Sequence, residues 1–177
     1  MSVASALYKV GNFYYLNLSS DSVTNTNTSE TKNSDFTNEF GSGGISFPEP
    51  MDVALASLST NVSGQSGIDA VPKLDVYVLC SVARPTVRVG DQQVNSLKRV
   101  LASQSNSREN WEFDSPLQFI PVNTSTFNSI RIQLVTDSFR SAGLPHTLHA
   151  THSPVGDNPS SCTLVFRPHQ TIVSGDS

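Results

Sequence analysis

The sequence predicts an all-β fold in one domain. Apolar residues recur with a period of two, which marks strands that bury one face, and helical periodicity is scarce. Pro48, Pro50, Pro85, Pro116 and Pro121 sit at the borders of the apolar runs, where no central ladder donor is lost. Clusters of Ser, Thr, Asn and Gly separate those runs. Several short strands with this punctuation predict a two-sheet sandwich or a jelly roll of about eight strands.

The strands are justified in chain order. Tyr14, Leu16 and Leu18 alternate in the first, and Asp35–Phe40 supplies a short second. Between them Asp21–Asn33, with Val23 as its single apolar residue, has nothing to give a core and is expected to be an exposed loop. Gly41-Ser42-Gly43-Gly44 and Phe47-Pro48-Glu49-Pro50 read as a turn and a stiff crossing. The run Met51–Ser59 has two weakly distinct faces, Val53/Leu55 and Ala54/Ala56/Leu58, and is expected to be covered on both sides.

Thr60–Val71 is an excursion. Leu74, Val76, Val78 and Cys80 then share one face of a clear strand. Thr86–Val89 and Leu117–Val122 are shorter candidates, while Val94–Ala102 fits either a strand or a helical turn. Ile130, Ile132 and Leu134 alternate with Arg131 and Gln133 in the cleanest strand of all. After the long excursion Arg140–Ser161, the last strand buries either Cys162, Leu164 and Phe166 or their neighbours Thr163 and Val165. The core is expected over about residues 12–168 of the single domain 1–177, with a frayed tail at 170–177.

Composition narrows function. Charged residues make up 15% of the chain, against about 25% in an average domain, which fits either a chain that buries part of its surface against neighbours or one whose Ser/Thr/Asn-rich loops simply replace charged ones. A net charge of -4 and no basic cluster beyond Lys98-Arg99 leave no footprint for nucleic acid. Met1–Leu7 lacks the basic start and apolar run of a secretory signal, and no segment is long and apolar enough for membrane insertion. A 177-residue chain needs no staples, and Cys80 and Cys162 are expected to be free thiols.

Catalytic constellations are sparse. His146, His149 and His152 fall close together and imidazoles ligate metals, but strand spacing puts His149 on the opposite face from the other two. No carboxylate lies within four residues of them, so solvated loop histidines are the expectation and no metal or other cofactor is assigned. Cys80 lies on an apolar face, where a thiol is inert. Gly41–Gly44 lacks the Lys-Ser/Thr of a phosphate cradle, and Trp111 beside Phe113 reads as a core or interface anchor. The reading is non-enzymatic, with no catalytic residue named.

The order of features resembles a known family. Phe13-Tyr14-Tyr15-Leu16-Asn17-Leu18-Ser19-Ser20-Asp21-Ser22 gives an aromatic strand and a polar loop, followed by Asp35–Phe40 and the Pro-flanked Phe47–Leu55. Leu74–Ser81, Leu97-Lys98-Arg99-Val100-Leu101, Phe119-Ile120-Pro121-Val122, Phe127–Ile132 and Thr163–Arg167 complete the series. In this order they are similar to the penton (minor capsid) proteins of virophages and Polinton-like viruses, over roughly Phe13 to Arg167. The chain differs in having no Trp in MDVALASLST and in its long histidine-containing excursion.

The resemblance implies a single jelly roll, with Gly41–Gly44 and Phe47–Pro50 carrying the chain between its sheets. It implies a homopentamer at each five-fold vertex of an icosahedral virion, assembled inside the host cell. The expected neighbours are trimers of a double-jelly-roll major capsid protein. Two other classes share the sequence features: a ligand- or carbohydrate-binding β-sandwich, and a cupin-like metal enzyme in which His146, His149 and His152 would converge with a carboxylate.

Overall fold

A computed structural model describes residues 7–27, 32–60, 73–89, 92–103, 109–114, 116–138, 147–150 and 159–170. Its strands in chain order are β1 (Leu7–Val10), β2 (Phe13–Ser19), β3 (Asp35–Glu39), β4 (Ile45–Ser46), β5 (Met51–Thr60), β6 (Lys73–Cys80), β7 (Val87–Val89) and β8 (Gln92–Val94). They continue with β9 (Ser96–Ser103), β10 (Glu109–Glu112), β11 (Ile120–Pro121), β12 (Thr126–Phe127), β13 (Ser129–Ser138), β14 (Thr147–Ala150) and β15 (Ser161–Pro168). The protein is all-β, and no helix occurs among the described residues.

Two antiparallel sheets form its body. One has the order β1-β2-β15-β5-β10, with β11 also on β5; the other has β14-β13-β6-β9, with β3 also on β13. Their apolar faces merge into one core. Leu16, Leu18, Val53, Leu55, Leu58, Cys162, Leu164 and Phe166 come from the first sheet, and Phe36, Val76, Val78, Cys80, Leu97, Ile130, Ile132 and Leu134 from the second. The last strand therefore turns its Cys162/Leu164/Phe166 face inward.

The blurred pattern of β5 has a physical cause. Thr163 pairs with Ser57 but Leu164 pairs with Leu55, so Ala56 is an extra residue. Such a bulge flips the parity of a strand. Val53 and Leu55 point inward before it, Leu58 after it, and Ala54 is buried as well because β5 is central and covered on both sides. An equivalent slip between Val78 and Leu79 leaves Leu97 unpaired on β9 and still buried.

The crossing from the second sheet to the first begins at the glycine turn, where Gly44 N–H donates to the Gly41 carbonyl at 3.2 Å. Gly41 and Gly44 have φ of 73° and 55°, values that suit glycine. Phe47 then anchors the passage by packing on Tyr14 and Phe166, each with ring centroids 5.1 Å away, and on Phe127 at 6.0 Å. The Phe-Pro-Glu-Pro stretch thus nails a stiff connection into the core.

Several expectations need correction. Of the two readings of Val94–Ala102 the strand holds and the helical turn does not: Val94 ends the β7–β8 hairpin and Ser96–Ser103 is β9, held along β6 by ladder bonds. Leu117–Val122 shrinks to the two residues of β11, with Val122 N–H donating to the Met51 carbonyl at 2.9 Å just beyond them. The excursion Arg140–Ser161 contains β14, paired with β13, and β1 adds a hairpin outside the expected 12–168 core. Gly11, with φ of 59°, makes the tight turn of that hairpin. Residues 61–72, 140–146, 151–158 and 171–177 lie outside the described residues.

The polar loop is not simply exposed. Val23 is 83% exposed, but Ser20, Asn33 and Ser34 are buried. Ser20 Oγ donates to Asn33 Oδ1 at 2.7 Å and accepts from Ser160 N–H at 2.9 Å. Thr26 N–H donates to Thr37, and Glu39 N–H to Thr24, both at 3.0 Å, so the loop caps the outer edge of β3. Hydrogen bonding, not hydrophobic burial, orders it.

Candidate functional site

Cross-strand register builds a polar platform on the outer face of the first sheet. Asn17 pairs with Thr163, Thr163 with Ser57, and Ser57 with Glu112, which sets one row across β2, β15, β5 and β10. Ser19, Ser161, Ser59 and Asn110 make a second row by the same pairings. Their neighbours Leu18, Leu58 and Cys162 are buried, so alternation turns both rows away from the core. Strands about 4.8 Å apart give a platform roughly 14 Å long.

These residues line a cleft of about 430 Å³, to which Leu18, Leu58, Cys162, Ser22, Thr24, Asn38, Phe40 and Trp111 also contribute. Thr163 Oγ1 donates to Asn17 Oδ1 at 2.8 Å, and Ser59 Oγ donates to Asn110 Oδ1, so the ends of the rows are pre-oriented. Among the described residues, Glu112 is the single charged side chain in the lining. Trp111, paired with Leu58, lies on the core side of β10 and is partly buried against the core. The lining combines hydroxyl and amide groups with the apolar residues Leu18, Phe40, Leu58, Trp111 and Cys162.

A second cluster lies further along the same sheet. Asp52 is buried, with Oδ1 2.6 Å from His169 Nδ1 and Oδ2 3.6 Å from Arg167 Nε. The Arg167 guanidinium lies 3.9 Å from the Phe119 ring centroid. His169 N–H also donates to the Pro50 carbonyl at 2.9 Å, so the cluster clamps the end of β15 to the start of β5. Its geometry is that of a structural ion-pair network.

The residues singled out in the sequence disperse. His149 lies in β14 opposite Thr136, while His146 and His152 lie outside the described residues. Among the described residues, no three His, Cys, Asp or Glu side chains gather to hold a metal. Gly41–Gly44 is a turn. Cys80 and Cys162 are free and buried on facing sheets, with burial pushing the Cys80 thiol up to about 11. Burial first, and then the facing Cys80, push the Cys162 thiol up as well.

Sequence reasoning missed both the platform and His169. Each arises from register between residues 51 to 146 positions apart in the chain, and Ser or Thr in alternate positions carries no signal of its own. Among the described residues no helix is long and apolar enough to cross a membrane. Comparison of the chain with protein-family models, curated proteins and solved structures finds no match.

Proposed function

We propose that this chain is a penton (minor capsid) subunit, a structural protein that forms homopentamers at the five-fold vertices of an icosahedral virus shell, assembled inside the host cell. Its neighbours there are double-jelly-roll major capsid proteins, and it has no catalytic task. The ordered resemblance of its strands and loops to such proteins supports the reading.

Strand order supports the jelly roll within it. Numbered one to eight along the chain, β2, β3, β5, β6, β9, β10, β13 and β15 give the orders 1-8-3-6 and 2-7-4-5 in the two sheets. Two interlocked Greek keys produce this arrangement. Fold alone does not specify function.

The observation that carries the assembly is where large apolar side chains remain exposed. Tyr8 (49%), Val10 (56%) and Phe13 (38%) lie on the β1–β2 hairpin, and Leu101 (55%) lies on β9. β2 stands beside β3, and β5 beside β9, so the hairpin and β9 occupy opposite lateral sides of the sandwich. A closed ring requires two different surfaces on each protomer, and these are two. Both belong to edge strands, whose unpaired backbone groups invite a neighbour.

Native mass spectrometry of the wild-type chain and of Tyr8→Asp and Leu101→Asp, each mixed with the major capsid protein, tests the reading. Pentamers of the 19.1 kDa chain that either substitution abolishes are the expected result. Dimers alone, or pentamers indifferent to both substitutions, contradict it.

A further inference from the structure

We infer that, outside any larger assembly, the free edge of β1 is covered by the β1 edge of a second copy, the two strands pairing antiparallel about a two-fold axis at Tyr8. β1 ends the first sheet and, among the described residues, pairs with β2 alone. An edge of this kind is a template for a further strand.

The side chains of that edge already follow the spacing of a ladder. Tyr8 lies opposite Tyr15, with ring centroids 5.2 Å apart and planes 11° from parallel, close to the roughly 4.8 Å between strands. Tyr15 thus takes one face of the Tyr8 ring, and the residue is still 49% exposed. A strand added to β1 with a flat ring opposite Tyr8 would continue the stack by one step. Val10, on the same outer face, stands exposed beside that position.

Charge selects the second copy's register. Leu7 and Lys9 take the other face of β1, Leu7 opposite Leu16 and Lys9 with its Nζ 5.1 Å from the Tyr14 ring centroid. An antiparallel pair centred on Lys9 would set two ammonium groups directly opposite each other, which is unfavourable. Centred on Tyr8, the pair sets ring against ring and each Lys9 against a Leu7, so the edge is complementary to itself, as a two-fold contact requires. Three residues of each edge take part, so the pair buries little area and is weak. It occupies the edge that the proposed pentamer uses. On that reading it acts as a brake, covering the hairpin until the shell offers a larger interface.

Sedimentation velocity of the full chain alone, without the major capsid protein, tests this. A reversible equilibrium between monomer and dimer of the 19.1 kDa chain at roughly 10–100 µM is expected, and Tyr8→Asp should abolish it. Disulfide trapping with diamide as oxidant reads the register. Tyr8→Cys places two Cβ atoms about 5 Å apart across the axis and should cross-link, whereas Val10→Cys places them about 14 Å apart and should not. Cys80 and Cys162 are buried and do not compete. A chain that stays monomeric throughout that range, a dimer that survives Tyr8→Asp, or cross-linking no faster through Tyr8→Cys than through Val10→Cys overturns the inference. Pentamers are sought separately, with the major capsid protein present, so absence of the dimer leaves the penton reading standing and absence of pentamers leaves the dimer standing.

Discussion

Asn38 stitches the two sheets together through the backbone of Ser19. Its Oδ1 accepts from Ser19 N–H at 3.2 Å, and its Nδ2 donates to the Ser19 carbonyl at 3.1 Å and to Thr24 Oγ1 at 3.1 Å. Ser19 lies past the reach of β1, which pairs with β2 only from Phe13 to Leu16. A side chain of β3 thus replaces the missing strand. Asn38 is 2% exposed, so removing it leaves backbone groups without partners in a dry place. Asn38→Leu should cost about 2–4 kcal/mol in urea unfolding, and a loss within experimental scatter of zero contradicts this role.

Two glycines with similar backbones should respond differently to alanine. Gly11 has φ of +59° and open space around it, whereas Gly44 has φ of +55° and its added Cβ would lie 2.9 Å from the Phe127 carbonyl oxygen. Gly11→Ala should cost about 1–2 kcal/mol for the left-handed backbone alone. Gly44→Ala should cost at least about 1 kcal/mol more, because the β4–β12 contact must also shift. Equal losses would mean that the close approach carries no weight.

Ile132 sits at the centre of the second sheet, paired with Phe36 on one side and Cys80 on the other, and is fully buried. Ile132→Ala should lower the unfolding free energy by about 2–5 kcal/mol through lost burial and a residual cavity. An unchanged denaturation midpoint would place the core elsewhere.

The buried thiols make stability depend on alkaline pH. Burial raises Cys80 to about 11 from an ordinary value of 9.0 and raises Cys162 too. The unfolded chain therefore releases these protons first, and stability present below about pH 9 falls as pH rises toward and through the folded values. The slope should approach about 1.4 kcal/mol per pH unit for each thiol. Cys80→Ala should flatten it. In native protein at neutral pH neither thiol should react promptly with a disulfide reagent, and both should react in denaturant; fast native labelling contradicts the buried geometry.

Legibility in the sequence followed the strength of the local pattern. Ile130, Ile132 and Leu134 alternate so cleanly that their burial could be read directly, and Val76, Val78 and Cys80 behaved likewise. Met51–Thr60 gave an ambiguous pattern because the bulge at Ala56 changes its parity, which only the pairing with β15 exposes. β14 carries Thr147-Leu148-His149-Ala150, too short and too mixed to show a period. The Ser20–Asn33–Ser160 contacts were hidden because polar residues that satisfy one another look the same in sequence as polar residues in water. The cleft was hidden for a similar reason, its eight platform residues being drawn from four strands that are not consecutive in the chain.

The central claim is that this chain closes into rings at five-fold positions. An electron cryomicroscopy reconstruction of the particle that contains it tests this most directly. Five copies around each vertex, with the Tyr8–Phe13 hairpin of one protomer against the Leu101 side of the next, is the predicted result. Density for this chain at any position other than the five-fold vertices would contradict it.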